Sequence, residues 1–192
     1  MSPALRLWGA VLLLVGVLSL HGGCALPPSA GGPVAGTSVM ENRIIPGVPF
    51  LPQEEETCGP TSLAMLLRFH GKDVSVRELQ EETRTSGLRG SLITDLAASA
   101  RRRGIQVEAA SLDLPELRRR IVAGEPVILL VDLGMLLWSR PHYIVVYGVT
   151  PEGVVAHSGQ TEGIVIPYGA LEKQWAKMGR LAIAAPRGSS LE

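Results

Sequence analysis

Gln53-Glu54-Glu55-Glu56-Thr57-Cys58-Gly59-Pro60-Thr61-Ser62 sets a single cysteine at a Gly-Pro turn, directly before the apolar run Leu63-Ala64-Met65-Leu66-Leu67. The run has helical spacing and good helix formers, and Gly71 stands where a left-handed residue ends a helix. Cys58 is thereby placed at or just before a helix N-terminus. Unsatisfied backbone N–H groups and the helix dipole favour negative charge there, so a thiolate is stabilised over a thiol. Gln53, five residues upstream, is in range to offer a side-chain N–H to a developing oxyanion. A free cysteine is also at home as a small buried apolar residue. This stretch alone leaves both roles open.

Downstream, Val48-Pro49-Phe50-Leu51-Pro52 reads as the extended lead-in to that helix, and a series of short elements follows it. Ser75-Val76-Arg77-Glu78 is a capping-box pattern that opens a helix towards Thr83. Ser91 is expected to cap another, with Leu92, Leu96 and Ala100 on one face and Gly104 at its end. Ile105 to Ala110 reads as a strand. Asp113-Leu114-Pro115-Glu116 opens a helix with Leu117, Ile121 and Val122 inward and Gly124 at the stop. The triplets Arg101–Arg103 and Arg118–Arg120 are expected to be solvated last turns that complement helix dipoles.

The second half changes character. Val127 to Val131 is continuously apolar and reads as a buried strand. His142–Val149, Val154–His157 and Gly163–Ile166 read as further strands, with a turn at Pro151-Glu152-Gly153. Tyr168 to Met178 looks helical, and Leu181 to Ala185 is a closing strand. Helices first and a mainly antiparallel sheet afterwards make an α+β domain over residues 46–187.

Upstream of the domain the chain has a different composition. Arg6 and the amino terminus precede an almost unbroken apolar run from Leu7 to Leu20, and Gly22-Gly23-Cys24 follows. Small residues before a cysteine resemble the processing site of bacterial lipoproteins, in which that cysteine is lipidated and becomes the first residue. Residues 1–24 are then a lipoprotein-type signal peptide and Cys24 the lipidation site, although His21 stands where Leu is usual. An ordinary cleaved signal peptide and a retained anchor are the alternatives. Ala25 after Cys24, where no Asp stands, resembles an outer-membrane destination facing the periplasm. Residues 25–45, with Pro27-Pro28-Ser29-Ala30-Gly31-Gly32-Pro33, read as a flexible tether. A link of some 20 residues has an r.m.s. reach of roughly 25 Å.

Eighteen basic and eighteen acidic residues balance, and aromatics make up 4% of the chain, so neither nucleic acid nor a strongly charged partner is indicated. There is no Walker-type loop and no dinucleotide fingerprint, and Gly87-Leu88-Arg89-Gly90 reads as a loop. His70, His142 and His157 lack zinc-site spacing; no metal, nucleotide or other cofactor is expected. Of two cysteines, lipidation would consume Cys24 and leave Cys58 as the one thiol. Trp138 and Trp175 fit core or rim packing better than a cleft wall.

His142 leads an apolar strand, where an unpartnered imidazole is costly. By itself it reads as a satisfied core histidine or as the base that a helix-borne thiol requires. Gln53-x4-Cys58-Gly59-Pro60, the strand 127–131 and His142-Tyr143-x-Val145-Val146-x-Gly148 together resemble the papain-like cysteine peptidases of the bacteriocin-processing type, best known for cutting leader peptides after a double glycine. The similarity runs from about Val48 to Pro186 and looks most like the secreted, stand-alone branch. It implies a papain-like fold, with the nucleophile helix packed on a mainly antiparallel sheet, and a peptide or protein substrate. It also implies Cys58 as nucleophile, His142 as proton partner and Gln53 with the Cys58 N–H as oxyanion hole. One such donor is typically worth roughly 3–4 kcal/mol of barrier. The family usually carries an Asp on the strand after the histidine. Here Val155-Ala156-His157-Ser158-Gly159 has no carboxylate, so Ser158 or His157 is expected to orient His142; Asp132 is the nearest acid on the preceding strand. A weakened third member leaves room for a second reading, a catalytically silent peptide-binding or assembly lipoprotein on the same scaffold.

Overall fold

Arg43–Ile44, a two-residue strand (β1), opens the folded part by pairing antiparallel with Val149 and Gly148. It lies inside the stretch 25–45 read as tether, so the fold starts before residue 46. The computed structural model describes residues 42–87, 90–135, 138–186 and Gly188. The stretch read as a signal peptide, with Cys24, and the stretch read as a tether up to residue 41 lie outside the described residues, as do Leu88 and Arg89 of the Gly87–Gly90 loop.

A single 3₁₀ turn, Glu55–Thr57, leads into α1 (Cys58–Phe69). Gly59-Pro60 is no turn before the helix but part of its first turn, where proline's missing N–H has no intrahelical partner to lose. At the other end Gly71 takes φ 77°, and the N–H groups of Gly71 and Lys72 close on the carbonyls of Arg68 and Leu67, both at 2.9 Å. Helix α2 (Val76–Thr83) starts as expected, its Glu78 N–H donating to the Ser75 hydroxyl at 3.1 Å. The reciprocal half of the capping box is replaced, because Arg103 takes the Glu78 carboxylate at 2.7 Å.

Helix α3 (Ile93–Arg102) differs from expectation at its start. Leu92 is the N-cap, 45% exposed, while the Ser91 hydroxyl pairs with Thr83 at 2.9 Å and its carbonyl accepts from the Tyr143 hydroxyl at 3.0 Å. The next strand, β2, covers only Glu108–Ser111. Asp113 caps α4 (Leu114–Ala123), accepting from the Glu116 N–H at 2.8 Å; Leu117 and Ile121 are buried, whereas Val122 faces out.

The arginine triplets are not merely solvated. Arg103 and Arg102 clamp α2 through Glu82, and Arg101 donates to the Val107 carbonyl at 2.9 Å. Arg120 joins Glu116 to Glu108 on β2, both at 2.8 Å. Sequence pattern shows an arginine on a helix surface; only the fold supplies the acid opposite it.

The remaining elements are β3 (Val127–Asp132), β4 (Pro141–Val149), β5 (Gly153–Ser158), β6 (Thr161–Pro167), α5 (Tyr168–Ala176) and β7 (Leu181–Ala184). The strands form one antiparallel sheet in the order β2-β7-β3-β4-β5-β6, with β1 also on β4. All six residues of β3 are buried, so helices cover both faces there, as its unbroken apolar sequence requires. Helix α1 packs on β3 and β4, α4 on the same two strands, α3 on β2 and β7, and α5 on β3 and β6. Trp175 is fully buried, its indole N–H donating to the Leu181 carbonyl at 2.9 Å; Trp138, expected in the core or at its rim, stands 83% exposed between β3 and β4. The α+β arrangement stands as read.

Candidate active site

Cys58 is the first residue of α1, where the chain enters from the 3₁₀ turn, and it is 7% exposed. Gln53 sits against it. The Gln53 Oε1 accepts from the Gly159 N–H at 2.6 Å, which fixes the orientation of the amide. Its Nε2 then faces three acceptors: the Ser62 hydroxyl at 2.7 Å, and the carbonyls of Cys58 and Tyr143, each at 3.2 Å. The backbone N–H of Gln53 donates to Gly159 O at 2.9 Å, and the Gln160 side chain donates to Gln53 O at 2.9 Å. One side chain thus ties the start of α1, strand β4 and the β5–β6 turn together.

His142 lies second on β4, opposite Val131, and its Nε2 is 3.2 Å from the Ser158 hydroxyl at the end of β5. Of the two residues that the resemblance offered to orient His142, Ser158 is the one within hydrogen-bond distance of its ring. The register shifts between Ala156 and Ser158, and such an irregularity re-aims side chains at a strand end.

His157 is not brought to His142. It is fully buried; its Nδ1 accepts from the Gly163 N–H and its Nε2 meets the Val48 carbonyl, both at 3.3 Å. The two contacts fix the tautomer with the proton on Nε2. The ring stacks on Tyr147 at 4.3 Å and tilts against Phe50 at 5.3 Å, so it is a satisfied core histidine. Asp132 is occupied too: its Oδ1 accepts from the N–H groups of Gly134 and Arg140, both at 2.7 Å, closing the β3–β4 loop. Those two bonds hold its carboxyl below the usual value.

The electrostatics overturn one expectation. Burial pushes the Cys58 thiol up, with a smaller push from Glu55, against backbone hydrogen bonds at Tyr143, Gly59 and Cys58 that pull it down. Desolvation outweighs the helix N-terminus, so the resting group is a thiol, not a thiolate. Burial, helped by the Arg140 charge, brings His142 down to about 4, while Glu55 opposes it weakly. The resting pair is neutral at pH 7.

Sequence reading missed Ser62, Tyr143 and Gly159. Ser62 is fully buried and lies one helical turn after Cys58, so a polar residue on the apolar face of α1 was the available signal. No local pattern marks Tyr143 or Gly159, whose contributions are backbone groups. A cavity of about 320 Å³ opens directly beside Cys58, with Leu92, Ile93, Leu130, Tyr143, Met178 and Leu181 among its walls. Among the described residues, no group of three or more His, Cys, Asp or Glu is placed to hold a metal ion, and no helix is long and apolar enough to cross a membrane.

A helix that begins on a cysteine, packed on an antiparallel sheet whose strand β4 carries a histidine at its second position, is the arrangement of a papain-like cysteine peptidase. The profile of the Peptidase C39 family matches residues 49–187, most of the chain, and the protein belongs to that family. It is a cysteine peptidase, a hydrolase of peptide bonds. Solved structures share the fold. A C39-like peptidase from Bacillus anthracis is 21% identical, with a TM-score of 0.64 over 76% of this chain and 97% of that one. The peptidase domain of Streptococcus ComA, a bifunctional ABC transporter of a quorum-sensing pathway, is 23% identical, with a TM-score of 0.62 over 73% and 99%. A double-glycine-motif protease from an AMS/PCAT transporter, solved with its leader peptide, is 20% identical, with a TM-score of 0.58 over 76% and 99%. No curated protein matches the chain.

Proposed function

We propose that the protein is a membrane-tethered, extracytoplasmic peptidase in which Cys58 attacks the scissile carbonyl and His142 moves the proton. The 3.2 Å contact between His142 Nε2 and the Ser158 hydroxyl is the observation that supports His142 in this role. With Nε2 engaged, Nδ1 is the nitrogen free to serve Cys58, provided Nε2 holds the proton and donates it to Ser158. Because the pair rests neutral, thiol deprotonation accompanies attack: Nδ1 takes the Sγ proton as sulfur bonds the carbonyl carbon. The Cys58 N–H stabilises the oxyanion, joined by one Gln53 N–H turned from its inner acceptors. Collapse expels the amine, which takes the proton from Nδ1, and water then releases the acid by the same exchange.

The substrate is a peptide or an extended protein segment. The complex of the AMS/PCAT protease with its leader peptide supports peptide binding on this fold. Activity is tested with a peptide mixture and mass spectrometry of the products. Hydrolysis that is lost in Cys58→Ala and His142→Ala is expected; no hydrolysis, or hydrolysis that survives Cys58→Ala, overturns the mechanism. Binding of peptides without cleavage would instead favour the silent peptide-binding lipoprotein.

The tether rests on Arg6, the apolar run Leu7–Leu20 and Gly22-Gly23-Cys24. Membrane fractionation and the mass of the N-terminal peptide test it. A lipid-modified Cys24 in the outer-membrane fraction, absent in Cys24→Ala, is expected. An unmodified Cys24 in the soluble fraction would refute the anchor.

A further inference from the structure

We infer that Ser62 is a positioning residue for the reaction: its hydroxyl holds the Gln53 amide in the orientation that keeps one N–H available at Cys58. The inference rests on the reading above, in which Gln53 shares the oxyanion with the Cys58 N–H. A side-chain amide has one acceptor oxygen and two N–H donors on its nitrogen. The oxygen of Gln53 is taken by the Gly159 N–H at 2.6 Å, and Gly159 sits at φ 58°, a left-handed conformation that glycine adopts freely. Three acceptors surround Nε2, and they are not equal. The Ser62 hydroxyl lies at 2.7 Å, whereas the Cys58 and Tyr143 carbonyls, each at 3.2 Å, stand at the outer edge of the normal range. Ser62 therefore holds one N–H, and the other is shared between two weak acceptors. The weakly held N–H is the one that an oxyanion at Cys58 can draw away.

Burial makes the hydroxyl hard to replace. Gln53 and Ser62 are both buried, so bulk water does not reach Nε2 in its place. Without the Ser62 oxygen, both N–H groups compete for the two carbonyls, and the amide is drawn towards them and away from the oxyanion. Thr61 supplies the contrast. It precedes Ser62 in α1 and is also buried, but its hydroxyl has no hydrogen-bond partner. Ser62 differs from it in meeting Gln53.

Two reagents for the same sulfur separate the roles, and both are read on the whole chain by the mass of the peptide containing Cys58. p-Nitrophenyl acetate is attacked at its carbonyl carbon: sulfur bonds that carbon, the thiol proton passes to His142, an oxyanion forms, and p-nitrophenolate leaves as it collapses. Iodoacetamide is attacked at a saturated carbon, loses iodide and forms no oxyanion. The ratio of acetylation rate to alkylation rate therefore reports the oxyanion hole apart from the reactivity of the thiol. Ser62→Ala is expected to lower this ratio by about threefold to tenfold, the effect of one hydrogen bond, and Thr61→Val to leave it unchanged. Gln53→Ala is expected to lower it by about 100-fold, and adding Ser62→Ala to that variant to change nothing further. The alkylation rate alone is expected to match the native protein's in Ser62→Ala. If it changes in step with acetylation, Ser62 only supports the fold and the inference is overturned. A ratio that falls in Gln53→Ala but not in Ser62→Ala would also overturn it, and would leave the Gln53 reading standing. So would equal losses from Ser62→Ala with and without Gln53, because Ser62 would then act on another group. A ratio that Gln53→Ala leaves unchanged would remove the oxyanion role of Gln53, and the inference with it.

Discussion

Burial governs Cys58 and His142 more than any charge near them. The Cys58 thiol is raised above its ordinary value of 9.0 and His142 is lowered to about 4, both chiefly by desolvation. Alkylation of Cys58 in the free protein should therefore keep rising with pH past 9, with no inflection near neutrality. An inflection at pH 6–7 that disappears in His142→Ala would instead show a resting thiolate–imidazolium pair. Ser158 sets a second expectation. Ser158→Ala removes one hydrogen bond from the ring and should lower kcat by about fivefold to tenfold. Ser158→Asp places a carboxylate beside the imidazolium that forms during turnover, raising the His142 pKa and kcat by about tenfold. Equal kcat in all three forms would show that Ser158 does not orient the ring. Ser158 was legible as a candidate only through the resemblance, because it stands nearest the position where the family usually carries an Asp. His157 was an equal candidate on that basis, because nothing local reveals that Val48, Gly163 and Tyr147 consume its ring.

At the scale of the element, the β3–β4 loop decides where His142 begins. Asp132 gathers the Gly134 and Arg140 N–H groups, and a Cβ on Gly134 would lie 1.8 Å from the Trp138 carbonyl, so only glycine fits. Asp132→Ala leaves two backbone donors unpaired and should cost about 1–3 kcal/mol of stability, read by denaturant unfolding. It should also lower kcat, because Pro141 and His142 follow directly on the released loop. A variant with unchanged stability and rate would show that the loop holds by its backbone alone. The helices were legible because capping residues and stop glycines act within a few positions: Ser75, Asp113, Gly71 and Gly124 all serve as read. Ser91 failed as a cap because its hydroxyl and carbonyl are claimed by Thr83 and Tyr143, eight and 52 residues away in the chain. Local rules lose wherever a distant partner binds better.

For the whole molecule, the histidines make the fold sensitive to acid. His70, His142 and His157 are all lowered by burial, so each is neutral in the folded state and gains a proton on unfolding as pH falls below its ordinary 6.5. The unfolded chain then binds more protons, and stability falls with decreasing pH. For His142 the loss develops between 6.5 and about 4 and reaches about 3 kcal/mol at most. Denaturant midpoints measured from pH 7.5 to 4 should decline over this window, and less steeply in His142→Gln. A flat profile would mean that the buried rings are solvated in solution.

The sequence by itself determined the α+β order of elements, the helix that starts at Cys58, the strand that carries His142 and the family they belong to. The elements follow from periodicity, caps and short-range spacing, which the chain writes locally, and the family from the resemblance that their ordered motifs carry. Only the tertiary structure decided which buried groups remain neutral, which of Ser158, His157 and Asp132 meets His142, and which cavity lies beside the thiol. Desolvation and side-chain partnership depend on what packs from elsewhere in the chain, and no local pattern encodes that.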